Sequence, residues 1–201
     1  MEWLIVSDLH LGKTGHFREA GIAVPAGVMR NDLIRLTNLI LQFKPKQLII
    51  TGDMCHSKQN AELKLLERWR SDMQALPIRL VRGNHDILPL AWYERQSIDV
   101  IEGALQQGPF QLIHDPSAPD QLPAHHYELA GHWHPGIVLR GLGKQTLRFP
   151  CFFFGPKQGL LPAFGGFTGT HPIRKKKQDL VYAILPTAHG SQLTTNRLVE
   201  L

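Results

Sequence analysis

Five short segments carry side chains that could bind a metal ion: Asp8-Leu9-His10, Gly52-Asp53, Gly83-Asn84-His85-Asp86, His114, and Gly131-His132-Trp133-His134. Asp8 and His10 stand two residues apart after an apolar run, so both side chains can project to one side. His132 and His134 repeat that spacing. A carboxylate with an imidazole at one strand end, and two imidazoles at another, make a mixed nitrogen and oxygen donor set. Such a set suits manganese, iron or zinc better than calcium or a soft copper site. Gly52 precedes Asp53, and its missing side chain lets the backbone turn tightly and bring the carboxylate close to the ions; Gly83 stands in the same way before Asn84 and His85. The eleven histidines are thus not scattered, because several follow apolar runs. His16, His125, His126, His171 and His189 stand apart from these clusters and read as surface or hydrogen-bonded residues.

The elements that must position these residues are legible around them. Trp3 to Val6 is an apolar strand that runs into Asp8. Met29 to Phe43 reads as a helix, with Leu33, Leu36, Ile40 and Phe43 at three- and four-residue steps, closed by Pro45. Gln47 to Thr51 is the next strand and leads into Asp53. Ala61 to Leu76 reads as a second helix, with Glu62 in the first turn and a stripe of Leu65, Leu66, Trp69, Met73 and Leu76. After Pro77, the strand Ile78 to Val81 runs into Asn84. This alternation predicts a mainly parallel sheet with crossover helices, and such sheets bind ligands beyond the carboxyl ends of their strands. The second half reads as more antiparallel: Phe110 to Ile113, Tyr127 to Ala130, Ile137 to Arg140, Gln145 to Phe149, Leu180 to Leu185 and Gln192 to Val199 are short runs separated by turn signals. With no linker, repeat or low-complexity tract, residues 1–201 read as one domain.

Bulk properties narrow the class. At 201 residues, with 43% hydrophobic and 19% charged residues, the chain can bury a sizeable core. No apolar run approaches the roughly 20 residues that span a bilayer, and the apolar start lacks the basic region of a signal peptide. A cytoplasmic protein without membrane association is expected. Cys55 and Cys151 are too few for a disulfide framework or a thiolate site. The net charge of +5 favours a polyanionic partner. Gly141 to Thr146 lacks the residues of a phosphate-binding loop and reads as a hairpin turn.

Together, Asp8-x-His10, Gly52-Asp53, Gly83-Asn84-His85-Asp86, the lone His114 and Gly131-His132-x-His134 resemble the ordered motif set of calcineurin-like metallophosphoesterases. The resemblance implies a four-layer α/β/β/α sandwich with mixed sheets and two divalent metal ions. Asp8, His10, Asp53 and His134 would hold one ion. Asp53 would bridge to the second, completed by Asn84, His114 and His132. His85 would lie outside both coordination shells and act as general acid on the leaving oxygen. In that chemistry two cations about 3.5–4 Å apart neutralise phosphate oxygens and acidify a water for in-line attack, and a general acid adds roughly 10²–10⁴-fold. His56 stands where protein-phosphatase relatives carry an Asp followed by Arg-Gly, which argues against that branch.

More of the chain resembles one branch, the small bacterial phosphoesterases associated with a DNA ligase and a helicase. His10-Leu11-Gly12-Lys13, Phe17 to Pro25, Gly52-Asp53 through His56-Ser57, Trp69-Arg70, Gly131 to Pro135, Pro150-Cys151-Phe152 and Leu161 to Gly165 carry that similarity. It implies a manganese-dependent phosphodiesterase or DNA endonuclease of a repair system, working beside ligase, helicase and exonuclease; iron, zinc and magnesium are alternative metals. Lys13, Arg18 and His56 are candidate substrate contacts. Phe17 reads as a loop anchor, and Arg174-Lys175-Lys176-Lys177 as a solvated run or a contact to a nucleic-acid backbone. The alternatives are a phosphodiesterase for small or cyclic nucleotides and a non-catalytic scaffold of the same fold.

Overall fold

The computed structural model describes residues 2–19, 21, 23, 27–56, 61–118, 120–122, 124–141, 143, 145–186 and 196–201. Its elements follow in the order β1 (Trp3–Val6), α1 (Lys13–Glu19), α2 (Val28–Phe43), β2 (Gln47–Thr51), α3 (Ala61–Asp72), β3 (Ile78–Val81), α4 (Leu90–Arg95) and β4 (Ile98–Ile101). The second half contributes β5 (Ala104–Gln107), β6 (Phe110–Ile113), β7 (Tyr127–Ala130), β8 (Pro135–Arg140), β9 (Thr146–Phe154), β10 (Gln158–Leu160), β11 (His171–Pro172), β12 (Leu180–Pro186) and β13 (Asn196–Glu200).

β1 to β4 form a parallel sheet in sequential order. A sequential order with crossovers of one hand leaves the helices on one face. The packing agrees: Leu4, Val6, Leu48, Ile50, Ile78, Leu80 and Ile98 share a core with Leu33, Leu36, Ile40, Leu66, Trp69 and Trp92. The residues between them point the other way. Trp3, Ile5, Ile49, Val81 and Ile101 pack against Leu105, Phe110, Leu112, Tyr127, Leu129 and Phe154 of the second sheet. Each strand of the first sheet is therefore apolar on both faces, as buried parallel strands are. Two sheets packed face to face, with helices outside the first, make a mixed α/β fold. Among the described residues no helix follows α4.

The second sheet is mixed. β5–β6, β8–β9, β9–β10, β9–β12 and β12–β13 pair antiparallel, whereas β6–β7, β7–β10 and β8–β11 pair parallel. The first part of the expected strand Gln192 to Val199 lies outside the described residues.

One helix ends where the sequence predicts and one ends early. α2 stops at Phe43 because Lys44 turns left-handed (φ 46°) and donates its N–H back to Ile40, and Pro45 follows. α3 ends at Asp72 and not at Leu76. The buried Arg70 guanidinium bonds the carbonyls of Met73, Gln96 and Ser97, and this draws the chain into a turn that the apolar stripe does not reveal. Cys55 and Cys151 are both buried and free, and burial raises both thiol pKa values, that of Cys151 to about 12.

Candidate metal centre

Beyond β1 and β2 the chain stays paired as it leaves the sheet. Asp8 donates its N–H to the Gly52 carbonyl (3.1 Å), His10 to Asp53 (2.9 Å) and Leu11 to Met54 (2.9 Å). Turning the donor side chains inward from these paired segments takes left-handed backbone. Asp8 (φ 52°), His10 (48°), Asp53 (52°), His132 (63°) and His134 (46°) all adopt it. Among the described non-glycine residues only Lys44 and Ser97 share it. Each such residue costs about 1–2 kcal/mol, so the strain is concentrated at the candidate ligands and held there by the surrounding packing.

The first donor group is Asp8, His10 and His134, with ligand atoms within 4.8 Å of one another. Asp8 Oδ1 lies 3.1 Å from His134 Nε2, and His10 Nε2 lies 3.4 Å from the same nitrogen. Asp8 Oδ2 is occupied: it accepts the Ser7 hydroxyl (2.5 Å) and the His132 N–H (3.0 Å). Burial pushes the Asp8 carboxyl pKa up, but hydrogen bonds from His134 and Ser7 outweigh it and leave the group below its ordinary value. His10 is buried, and that desolvation, helped by the nearby Lys13 charge, lowers its pKa to about 3. Its imidazole is therefore neutral, as a metal ligand must be.

The second group is Asp53, His114 and His132. His114 Nδ1 lies 3.1 Å from the Thr51 carbonyl, which can only accept, so that nitrogen carries the proton and Nε2 keeps its lone pair. Nε2 then faces Asn84 Oδ1 (2.9 Å), His132 Nδ1 (3.2 Å) and Asp53 Oδ1 (3.4 Å). Lone pairs converging in this way repel unless a cation stands among them. In the first group Asp8 Oδ1 and His10 Nε2 converge on His134 Nε2, at 3.1 and 3.4 Å. By their chemistry both donor sets fit divalent ions.

Asp53 lies between the groups, with Oδ2 3.8 Å from His10 Nε2 and Oδ1 3.4 Å from His114 Nε2. Gly52 has φ 86°, and a Cβ there would sit 2.0 Å from His114 Nδ1. The glycine therefore serves close approach of a histidine as much as the tight turn expected of it. At Gly131 a Cβ would sit 1.9 Å from Ser7 Oγ.

His85 donates its backbone N–H to Asp53 Oδ1 (2.9 Å), and its ring centroid lies 5.5 Å from that of His10. The His56 ring is 4.3 Å from His85 and 5.5 Å from His10, so His56 stands beside the centre. Lys13, at the start of α1, is partly buried; burial lowers its pKa while Asp53 and Asp8 raise it. The Arg18 side chain lies outside the described residues. Phe17 meets Phe167 edge to face at 5.8 Å, in keeping with an anchoring role. Arg174 to Lys177 are exposed and follow β11.

Several supports take roles that the sequence does not reveal. Asp86 accepts the N–H groups of Cys55 and Gly83 and so joins the loops after β2 and β3; burial raises its pKa to about 6. Phe164 and Gly165 donate their N–H groups to the Ser7 and Asp8 carbonyls (2.8 and 3.0 Å). That segment is held in turn by Asp32, which accepts the Gly166 N–H, and by Arg35, which bonds the Phe164 carbonyl and lies over its ring.

The calcineurin-like phosphoesterase family matches residues 1–155, which hold every candidate ligand. The chain belongs to that family. Calcineurin-like phosphoesterases are metal-dependent hydrolases of phosphoester bonds, and this membership implies two divalent ions, for which the two donor groups offer places. The crystal structure of the nuclease MPE of Pseudomonas putida superposes with a TM-score of 0.75 at 33% identity, covering 98% of this chain and 87% of that one. That likeness is consistent with the DNA-ligase-associated branch of the family. Yfce, a phosphoesterase from E. coli, shares the fold at TM-score 0.51 and 17% identity, covering 100% of this chain and 98% of that one. No curated protein sequence matches the chain. No described helix is long and apolar enough to cross a membrane.

Proposed function

We propose that this phosphoesterase is a dinuclear phosphodiesterase that cuts DNA as an endonuclease in a repair pathway. The observation that carries the reading is Asp53, whose two carboxylate oxygens face different donor groups at 3.8 and 3.4 Å. Asp8, His10, Asp53 and His134 would hold one ion; Asp53, Asn84, His114 and His132 would hold the other. When bound, the two ions supply neutralisation of the phosphate oxygens and acidification of the attacking water. Manganese suits the mixed imidazole and carboxylate donors, and iron, zinc and magnesium are its competitors.

The chain's own residues do the rest. The bond from the His85 N–H to Asp53 Oδ1 ties that residue to the shared ligand and keeps its imidazole beside the centre. From there its ring N–H protonates the departing sugar oxygen, which is too basic to leave readily as an alkoxide. Lys13, at the start of α1 just after the ligand His10, holds a phosphate oxygen. His56, packed on the His85 ring, and Arg18 complete the substrate contacts. The DNA substrate is supported by the net charge of +5 and by the likeness to a nuclease. Residues 1–201 act as one metallophosphoesterase domain, because both sheets supply ligands. A cytoplasmic location and association with a ligase, a helicase and an exonuclease follow from the resemblance of the motifs to the ligase-linked branch.

The test is a panel of circular single-stranded DNA, duplex DNA, RNA and cyclic mononucleotides, offered with manganese, iron, zinc or magnesium after chelator treatment. Metal-dependent linearisation of the DNA circle supports the reading. Turnover confined to mononucleotides replaces the DNA endonuclease with a small-nucleotide enzyme, and no turnover with any metal replaces it with a scaffold.

A further inference from the structure

Trp133 stands between two candidate ligands, His132 and His134, yet it is 50% exposed. Trp69 and Trp92 are buried at 8% and 7%. An indole left open beside a metal centre presents a large apolar face and a polar N–H edge to whatever enters there. It lines a cleft of about 560 Å³ with His132, His134, Gly169, Thr170 and His171.

The far wall of this cleft is built. His171 donates its N–H to the His134 carbonyl (2.8 Å), Ile173 donates to Gly136 (2.9 Å), and Arg148 donates to the Thr170 carbonyl (3.0 Å). The His171 ring stands 6.5 Å from the Trp133 ring. Three residues past His171 begins the exposed run Arg174 to Lys177, four cations in succession. One aromatic face, open to solvent, therefore borders the ligands, and positive charge follows in the segment after β11.

We infer that Trp133 is a stacking platform for an unpaired nucleobase next to the scissile phosphate, with the strand continuing over Arg174 to Lys177. This rests on the nuclease reading and adds the form of the substrate. A base within a duplex has both faces covered by its neighbours, whereas an unpaired base offers a face to the indole. Stacking on an aromatic ring is tolerant of base identity, so the cleft selects strandedness and not sequence.

The test is a double-substitution cycle with the manganese-loaded full chain. A single-stranded oligonucleotide is compared with the same strand carrying a tetrahydrofuran abasic residue at each position flanking the cleaved bond. Each strand is assayed with the wild-type protein, Trp133→Ala and Trp133→Phe. In the wild type one abasic position raises KM by about 5- to 150-fold, the range for loss of one stacked base. Trp133→Ala raises KM on the intact strand comparably, and there the abasic residue adds little further. Trp133→Phe falls between. Manganese titration of each variant reports whether the flanking histidines still bind metal, and if Trp133→Ala has lost metal the Phe variant carries the cycle. Quenching of indole fluorescence by an oligothymidylate, lost in Trp133→Phe, is a readout independent of turnover. Additive losses, or no sensitive position in the wild type, overturn the platform while leaving the nuclease intact. Failure of the wild type to cut either strand while hydrolysing a small phosphodiester overturns the nuclease reading, and the platform falls with it.

Discussion

Gly52→Ala is the smallest change that should separate the two donor groups. The added Cβ would lie 2.0 Å from His114 Nδ1 and 2.4 Å from its Cγ, so the imidazole must retreat by roughly 1.4 Å to reach ordinary contact. That movement breaks the bond from Nδ1 to the Thr51 carbonyl, which sets the tautomer, at a cost of about 1 kcal/mol. The backbone φ of 86° adds about 1–2 kcal/mol for a residue with a Cβ. The sum of about 2–3 kcal/mol corresponds to a melting temperature lower by about 4–12 °C in a chain of this size. Metal binding should suffer selectively. A ligand that loses its orienting partner typically costs 10–100-fold in affinity, and here that loss falls on the group of Asp53, His114 and His132. Calorimetric titration with manganese should show one site retained and one weakened by about that factor, alongside the lower melting temperature. A variant that melts with the wild type and binds two ions unchanged would refute the close-approach argument.

Other substitutions probe other links. His85→Ala should keep both ions but lose about 10²–10⁴-fold in turnover, most with poor leaving groups; a variant with full activity and the wild type's leaving-group dependence would remove His85 from proton donation. Asp86 has a folded pKa raised to about 6 by burial, so its contribution to stability is fully present below pH 3.8 and is lost as pH rises through 6. The shift corresponds to about 3 kcal/mol. In metal-free protein, Asp86→Asn should flatten the fall in stability over that window, measured by urea unfolding at a series of pH values. Parallel wild-type and variant curves would count against the raised pKa.

How much of this was legible in the sequence depends on the range of the interactions. β1, β2 and β3 stand where their apolar runs placed them, because parallel strands buried on both faces leave a continuous signal. α4 and β4 were not foreseen; six and four residues are too few to display a period. β10 and β11 are three and two residues long and exist through pairing with distant strands. At the centre, the donor residues were visible as residue types at strand ends. What holds them was not. Ser7 bonds the adjacent Asp8 carboxylate and the distant Thr51 carbonyl, Asp86 holds the N–H of distant Cys55, and Thr51, Phe164 and Gly165 act through backbone groups that no side-chain pattern reports. The left-handed backbone at Asp8, His10, Asp53, His132 and His134 was equally hidden, since glycine usually marks that conformation and here the ligands themselves adopt it.

The central claim is a pair of metal sites joined through Asp53, and the most direct test is manganese stoichiometry in Asp53→Ala beside Asn84→Ala. The wild type should bind two ions. Asn84→Ala should weaken chiefly one, because its Oδ1 faces the second group alone. Asp53→Ala should weaken both, because its oxygens face both groups. An Asp53→Ala protein that loses one ion and holds the other at wild-type affinity would contradict the shared ligand.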